Sequence, residues 1–104
     1  MSDYVWHPTP DYLDNANVLR LARAHGLESM DALRGKSTED VAWYWDAAIK
    51  DLGIPFATGY DRVLDESNGI EFPEWFVGGE FTVIDACITR WLDNGAHRTA
   101  IIHE

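Results

Sequence analysis

Apolar positions recur at helical spacing in three parts of the chain. The strongest is Val41, Trp45, Ala48, Ile49 and Leu52, with Tyr44 widening the stripe and Asp46, Lys50 and Asp51 left for water. Ser37 stands three residues before Asp40, an acidic variant of the capping box, and Gly53 with Pro55 ends the run, so the spacing predicts a core helix from the Ser37 cap to Leu52. A second stripe, Ile84, Cys87, Ile88, Trp91 and Leu92, predicts a helix of roughly three turns, opened by Thr82 or Asp85 and closed at Gly95. The third is weaker. Tyr12, Ala16, Leu19 and Ala22 or Arg23, with Leu13 beside them, predict a surface helix capped by Thr9, with Pro10 at its first position, Asp11 in its first turn, His25 in its last and Gly26 as its stop.

Between these stripes the pattern is broken. "SMDALRG" predicts a short helix capped by Ser29 and stopped by Gly35. From Gly53 to Gly79 no period holds, and prolines, glycines and the acids Asp61, Asp65, Glu66, Glu71 and Glu74 surround the lone base Arg62. The expectation is a long irregular acidic loop, with Arg62 bridging a neighbouring acid. At the other end, Thr99, Ala100, Ile101 and Ile102 read as an apolar strand running to His103. A lone strand leaves its backbone groups unpaired, so this reading expects either a missing partner sheet or edge-to-edge self-association. The expected fold is mainly α: three to four helices, the acidic loop and one C-terminal strand.

Composition narrows the function classes. At 104 residues and 46% hydrophobic this is one small domain, and its five Trp are expected to supply much of the core. Eighteen acidic residues against eight basic ones, a formal charge of −10, repel phosphodiester backbones and anionic lipid surfaces, which argues against nucleic-acid and membrane partners. A single cysteine excludes an internal disulfide, and the N-terminus lacks a basic and apolar leader, so a cytoplasmic setting is expected.

Candidate chemistry is sparse. Cys87 with His97 resembles a nucleophile and base, but Cys87 falls on an apolar stripe and is expected to be a buried structural thiol. His97, His103 and Glu104 are too few and too divergent for zinc. Pairs such as Asp61 with Asp65, or Asp65 with Glu66, have the residue types for acid-base catalysis, yet in a loop this acidic they read as solvated charges and caps. Gly78-Gly79 is followed by Glu80, which would repel a phosphate, and no GxGxxG or GxxxxGK[ST] occurs. The glycines read instead as a tight turn beside Trp75 and Phe76. The residues singled out are structural anchors, Trp45, Trp75, Phe76, Gly78, Gly79 and Trp91, and no catalytic, cofactor-binding or metal-ligating residue is assigned.

The stretch "YDRVLDESNGIEFPEWFVGGEFTVIDACITRWLDNGAHRTAIIHE" resembles the N-terminal region of the AMP-forming acetyl-CoA synthetase family, and "NANVLRLARAHGL" and "STEDVAWYWDAAIKDLGI" are similar to the leading helices of acetyl-, propionyl- and acetoacetyl-CoA synthetases. The resemblance covers nearly the whole chain. It implies a ligase that joins a small carboxylic acid to ATP as an acyl-adenylate, then to coenzyme A, with magnesium accompanying the ATP. It also implies that the chain is part of a larger α/β adenylate-forming enzyme, whose adenylating domain and mobile C-terminal domain lie beyond Glu104, together with every catalytic motif of the family. Phe81-Thr82 stands where the family has Leu-Asn, and "DACITRW" keeps Cys87 and Arg90 while losing an Asn, an Asp and a His, which suggests a divergent short-chain acyl-CoA synthetase. The rival reading is a free-standing acidic helical module that binds a protein partner.

Overall fold

Side-chain caps decide where several helices begin. In the computed structural model, which describes residues 4–104, the chain divides into two compact units, Met1–Leu52 and Gly53–Glu104. The first holds α1 (Pro10–Asn15), α2 (Asn17–Ala24), α3 (Met30–Glu39) and α4 (Val41–Leu52). Pro10 opens α1 as expected, although Thr9 is extended and its hydroxyl makes no capping bond. Ser29 caps α3, accepting from the Ala32 N–H at 3.0 Å.

The single helix expected from Thr9 to Gly26 is two helices, broken at Ala16, whose backbone is extended (φ −72°, ψ 123°). The last turn tightens there: the Ala16 N–H donates to the Leu13 carbonyl at 3.3 Å, an i to i−3 closure, while the Asn15 Nδ2 donates back to the Asp11 carbonyl at 2.8 Å over the end of α1. The far end behaves as expected. Gly26 is left-handed (φ 71°), and the Gly26 and Leu27 N–H groups donate to the carbonyls of Arg23 and Ala22, closing a Schellman motif.

Two further boundaries differ from expectation. Gly35 does not stop α3, which runs on to Glu39. A helix-interior glycine costs about 1 kcal/mol relative to alanine, and beyond it the Ser37 and Thr38 hydroxyls donate to the Arg34 and Gly35 carbonyls along the continued turn. Nor does Ser37 cap α4: its Oγ donates to the Arg34 carbonyl at 2.8 Å, and Asp40 does the capping, accepting from the Trp43 N–H at 2.9 Å.

The buried face of α4 is consequently rotated from the predicted stripe. Ala47 is buried, with Trp43, Tyr44, Ala48 and Ile49 half-buried, whereas Val41, Trp45 and Leu52 turn outward. The core of this unit is Leu19, Leu21, Ala22, Leu33 and Ala47. Helix α2 contacts both α3 and α4, which is why Leu21 is buried as well as the expected Leu19 and Ala22. Arg20 Nη2 holds Asp51 Oδ2 at 3.0 Å across this packing.

The second unit replaces the expected irregular loop with an antiparallel hairpin, β1 (Arg62–Asp65) and β2 (Glu74–Val77), registered Arg62 with Val77 and Asp65 with Glu74. An isolated bridge between Thr58 and Glu80 extends the pairing. Then come α5 (Val83–Cys87), a 3₁₀ turn (Thr89–Trp91) and α6 (Leu92–Gly95). Thr82 caps α5, accepting from the Asp85 N–H at 3.1 Å. The three-turn helix expected here is interrupted at Ile88 (φ −124°, ψ −65°). Its β-branched Ile88-Thr89 pair has low helix propensity, and an exposed face gives it no packing to compensate.

The mainly helical class stands. The C-terminal strand does not: residues 99–104 carry no strand pairing and are exposed, with Ile101 and Ile102 in solvent. A strand forms only against a partner that takes its N–H and C=O groups, and the described residues offer none there.

Candidate functional site

The Gly-Gly junction is the centre of an aromatic cluster. The Phe56 ring centroid lies 5.1 Å from Tyr60, 5.9 Å from Phe76 and 5.4 Å from Phe81, and Phe76 lies 5.1 Å from Tyr60 and 6.2 Å from Trp75. The strand reaches this geometry by leaving β conformation at its end. Phe76 is left-handed (φ 49°), a conformation that costs a residue with a Cβ about 1–2 kcal/mol, and Gly78 is left-handed too (φ 77°). Gly79 has a different requirement: a Cβ there would sit 2.9 Å from Phe56 Cε1 and 3.0 Å from the Phe76 carbonyl oxygen. Gly78 supplies the turn and Gly79 the close approach.

The same geometry argues against a phosphate cradle. The Gly79 N–H donates to the Phe76 carbonyl at 2.9 Å and the Glu80 N–H to Thr58 at 3.0 Å, so neither points outward to a ligand. Thr58 Oγ1 also donates to Glu80 Oε2 at 3.2 Å, fixing that carboxylate to the turn.

Of the anchors expected from sequence, the fold brings Trp75, Phe76, Gly78 and Gly79 together. Trp45 belongs to the first unit and is 44% exposed; Trp91 lies in the 3₁₀ turn and is 48% exposed. Neither tryptophan is the core residue that the stripes implied. Phe56, Tyr60 and Phe81 were missed, and the signal that could have found them is the concentration of aromatics on both sides of one Gly-Gly pair.

Arg62 does bridge an acid, as expected: its Nη1 meets Asp65 Oδ2 at 2.7 Å. Asp65 Oδ1 also accepts from the Ser67 N–H at 2.9 Å. The Ser67 backbone N–H, then its side chain, hold the Asp65 carboxyl below its ordinary value of 3.8; partial burial opposes this, and Arg62 adds a weaker lowering. A depressed carboxylate adds stability that is complete above the unfolded value and lost as pH falls through the lower folded value. Replacing Asp65 with Asn should therefore flatten the acid limb of hairpin stability below about pH 4, read from the pH dependence of the Ser67 amide shift. Asp65 thus pins the loop through Arg62 and Ser67. Among the described residues no group of three or more His, Cys, Asp or Glu side chains is placed to hold a metal ion.

Beyond the cluster, the surface is apolar. Val83, Ile84, Ile88, Trp91 and Leu92 are each about half to two-thirds exposed along α5, the 3₁₀ turn and α6. Cys87, expected to be buried on this stripe, is exposed, because the stripe has no packed neighbour to cover it. Arg90 ties the segment down. Its guanidinium lies 4.5 Å from the Trp91 ring centroid, and Nη1 donates to the Gly53 carbonyl at 2.9 Å. An open groove of about 570 Å³ is lined by Cys87, Ile88, Trp91 and Leu92 and, from the segment that follows, by residues that include Arg98 and Thr99. Apart from the Cys87 thiol, the Arg98 guanidinium and the Thr99 hydroxyl, the lining offers apolar contact area. No helix among the described residues is long and apolar enough to cross a membrane.

A family model described as "Acetyl-coenzyme A synthetase N-terminus" matches residues 30–87, from α3 through α5. The chain is 34% identical over 98 residues to an acetyl-coenzyme A synthetase of Wolinella succinogenes, covering 94% of this chain and 15% of the relative. A synthetase of the same name from Cupriavidus pinatubonensis is 34% identical over 89 residues, 85% of this chain and 13% of the relative. One from Nitrosomonas europaea is 30% identical over 100 residues, 96% and 14% respectively. No solved structure matches significantly. The chain thus spans about one seventh of the length of these relatives, from 13 to 15%. Nearly every residue of it aligns with a protein of one name, and the aromatic cluster and the hairpin lie within the aligned stretch: the chain belongs to the acetyl-coenzyme A synthetase N-terminus family.

Proposed function

We propose that this chain is the N-terminal segment of an AMP-forming short-chain acyl-CoA synthetase, structural and non-catalytic in itself, which packs onto the adenylating domain of the same polypeptide. The observation that carries the reading is the uncovered apolar face from Val83 to Leu92 in a chain that spans only 13 to 15% of its relatives. Full burial of a large apolar side chain contributes roughly 1.5–3 kcal/mol, so covering five partly exposed ones supplies several kcal/mol of docking free energy. Trp75 and Phe76, seated by Gly78 and Gly79, fix the hairpin from which that face extends. In the complete protein, carboxylate, ATP and coenzyme A are converted to acyl-CoA, AMP and pyrophosphate, with Mg²⁺ accompanying the ATP, and all of those contacts are made by other parts of the polypeptide. The setting is cytoplasmic.

The test compares two proteins. The 104-residue chain, mixed with ATP, Mg²⁺, coenzyme A and acetate, propionate or acetoacetate, is expected to release no AMP, while the full-length polypeptide releases it with at least one of these acids. Turnover by the short chain would overturn its inert role. A full-length protein that adenylates none of the acids would overturn the short-chain ligase reading.

A further inference from the structure

Ile84, Ile88, Trp91 and Leu92 follow helical spacing without a slip, yet the backbone that carries them is broken between Ile84 and Trp91. On a continuous helix the four side chains fall within an arc of about 100°. In the structure Ile88 leaves the helix (φ −124°, ψ −65°), a 3₁₀ turn follows, and α6 starts afresh at Leu92. The periodicity therefore describes a ridge that the exposed segment has not assembled.

The break is shallow. Trp91 (φ −97°, ψ −7°), Leu92 (φ −64°, ψ −37°) and Ala96 (φ −57°, ψ −27°) already occupy the right-handed helical basin, and ψ at Ile88 is nearly helical. Ile88 also keeps its i to i−4 bond, its N–H donating to the Ile84 carbonyl at 2.8 Å. Rotating φ of Ile88 by about 60° toward the usual helical value would bring the three pieces close to one axis. What opposes this is local: Ile88 and Thr89 are β-branched, and an uncovered short helix gains little from extending.

We propose that residues 83–95 form a docking-coupled helix. When the remainder of the polypeptide covers the apolar face, Ile88 becomes helical, the 3₁₀ turn is absorbed, and Ile84, Ile88, Trp91 and Leu92 align as one ridge against it. This rests on the docking reading above, and the occupant is the portion of the polypeptide that this chain, at 13 to 15% of its relatives' length, does not include. A second copy is disfavoured because each carries a formal charge of −10. Docking shifts the equilibrium because the occupant contacts an aligned ridge better than a broken one, and only that difference in affinity drives the change.

Hydrogen exchange of the Thr89 to Leu92 amides, compared between the 104-residue chain and the full-length polypeptide, tests the straightening directly. Exchange is expected to slow by about 100-fold or more in the full-length protein, with the Ile88 Cα chemical shift moving to a helical value. Equal exchange in both overturns the proposal.

Two substitutions in the full-length protein separate this idea from docking itself. Thr89→Pro removes the N–H that a continuous helix would donate to the Asp85 carbonyl, a bond the present 3₁₀ turn does not make, while its clash with the right-handed ψ of Ile88 burdens both forms alike; it should speed limited proteolysis within residues 53–104 by about tenfold or more. Thr89→Ala, with higher helix propensity, should leave that rate unchanged or slower. Ile84→Asp reports on docking and should speed cleavage whatever the helix does. Faster cleavage in Ile84→Asp with no change in Thr89→Pro would leave docking intact and overturn the straightening. No change in either would overturn both.

Discussion

Alanine at Phe56 is expected to cost about 2–4 kcal/mol at the hairpin, near the lower part of the range for truncating a packed aromatic, because the ring is half-buried. Phe56 lies within 6 Å of Tyr60, Phe76 and Phe81 by ring centroid, and its edge is what a Cβ at Gly79 would strike. Its loss removes the support that keeps Phe76 left-handed, so the damage should spread into β2. The Asp61 N–H, which donates to the Val77 carbonyl at 2.9 Å, is a convenient reporter. A cost of 3 kcal/mol would accelerate its exchange by about 150-fold, if exchange there proceeds through opening of the hairpin. Acceleration below about fivefold would show that the cluster does not hold the hairpin. Gly79→Val should reach a comparable loss from the opposite direction, by overfilling the same contact against a backbone oxygen that cannot swing away.

The second large effect lies in the helical unit and concerns where its core is. Leu33→Ala should destabilise α2, α3 and α4 together by about 2–4 kcal/mol, since Leu33 is 3% exposed and α3 touches both neighbouring helices. Trp45→Ala should cost less, about 1–2 kcal/mol, despite removing a much larger side chain, because Trp45 is 44% exposed. Urea unfolding followed by helical ellipticity measures both. A Trp45 effect larger than that of Leu33 would return the core to the tryptophan stripe and contradict the observed rotation of α4.

That rotation shows how periodicity can identify a helix and still misplace its buried face. Val41, Trp45, Ala48, Ile49 and Leu52 and the neighbouring set Tyr44, Ala47, Ala48 and Asp51 are both self-consistent stripes, about a quarter turn apart. Spacing weights them by hydrophobicity, which favours the tryptophan. Packing weights them by fit: small Ala47 admits a close neighbour, and Arg20 meets the carboxylate of Asp51 at the exposed border of that face. A salt bridge 31 residues away in sequence is invisible to any local window.

Local chemistry was legible where the decisive partner stood within a few residues. Ser29 and Thr82 cap helices because their hydroxyls reach an N–H three residues on, Gly26 closes α2 because only the next residues complete its motif, and Arg62 finds Asp65 on the same strand. The misreadings have local causes as well, but in competition. Asp40 displaced Ser37 as a cap, and at Ala16 an i to i−3 closure on the Leu13 carbonyl took the place of helix continuation. The hairpin escaped notice because its strands are only four residues each, too short for alternation to establish a period, and its register depends on pairing across an eight-residue connection, residues 66–73.

What the amino-acid sequence determined alone was the mainly helical class, the capped helix starts at Ser29 and Thr82, the Arg62 bridge, the geometric use of Gly78 and Gly79, and membership of its family, all of which rest on neighbours along the chain or on the residues themselves. Tertiary structure decided the rest: Leu33 rather than Trp45 at the core, Phe56 and Phe81 drawn into the Gly-Gly junction, Cys87 in solvent, and a final segment without a strand. Burial and strand pairing are properties of two surfaces meeting, and a sequence pattern specifies only one of them.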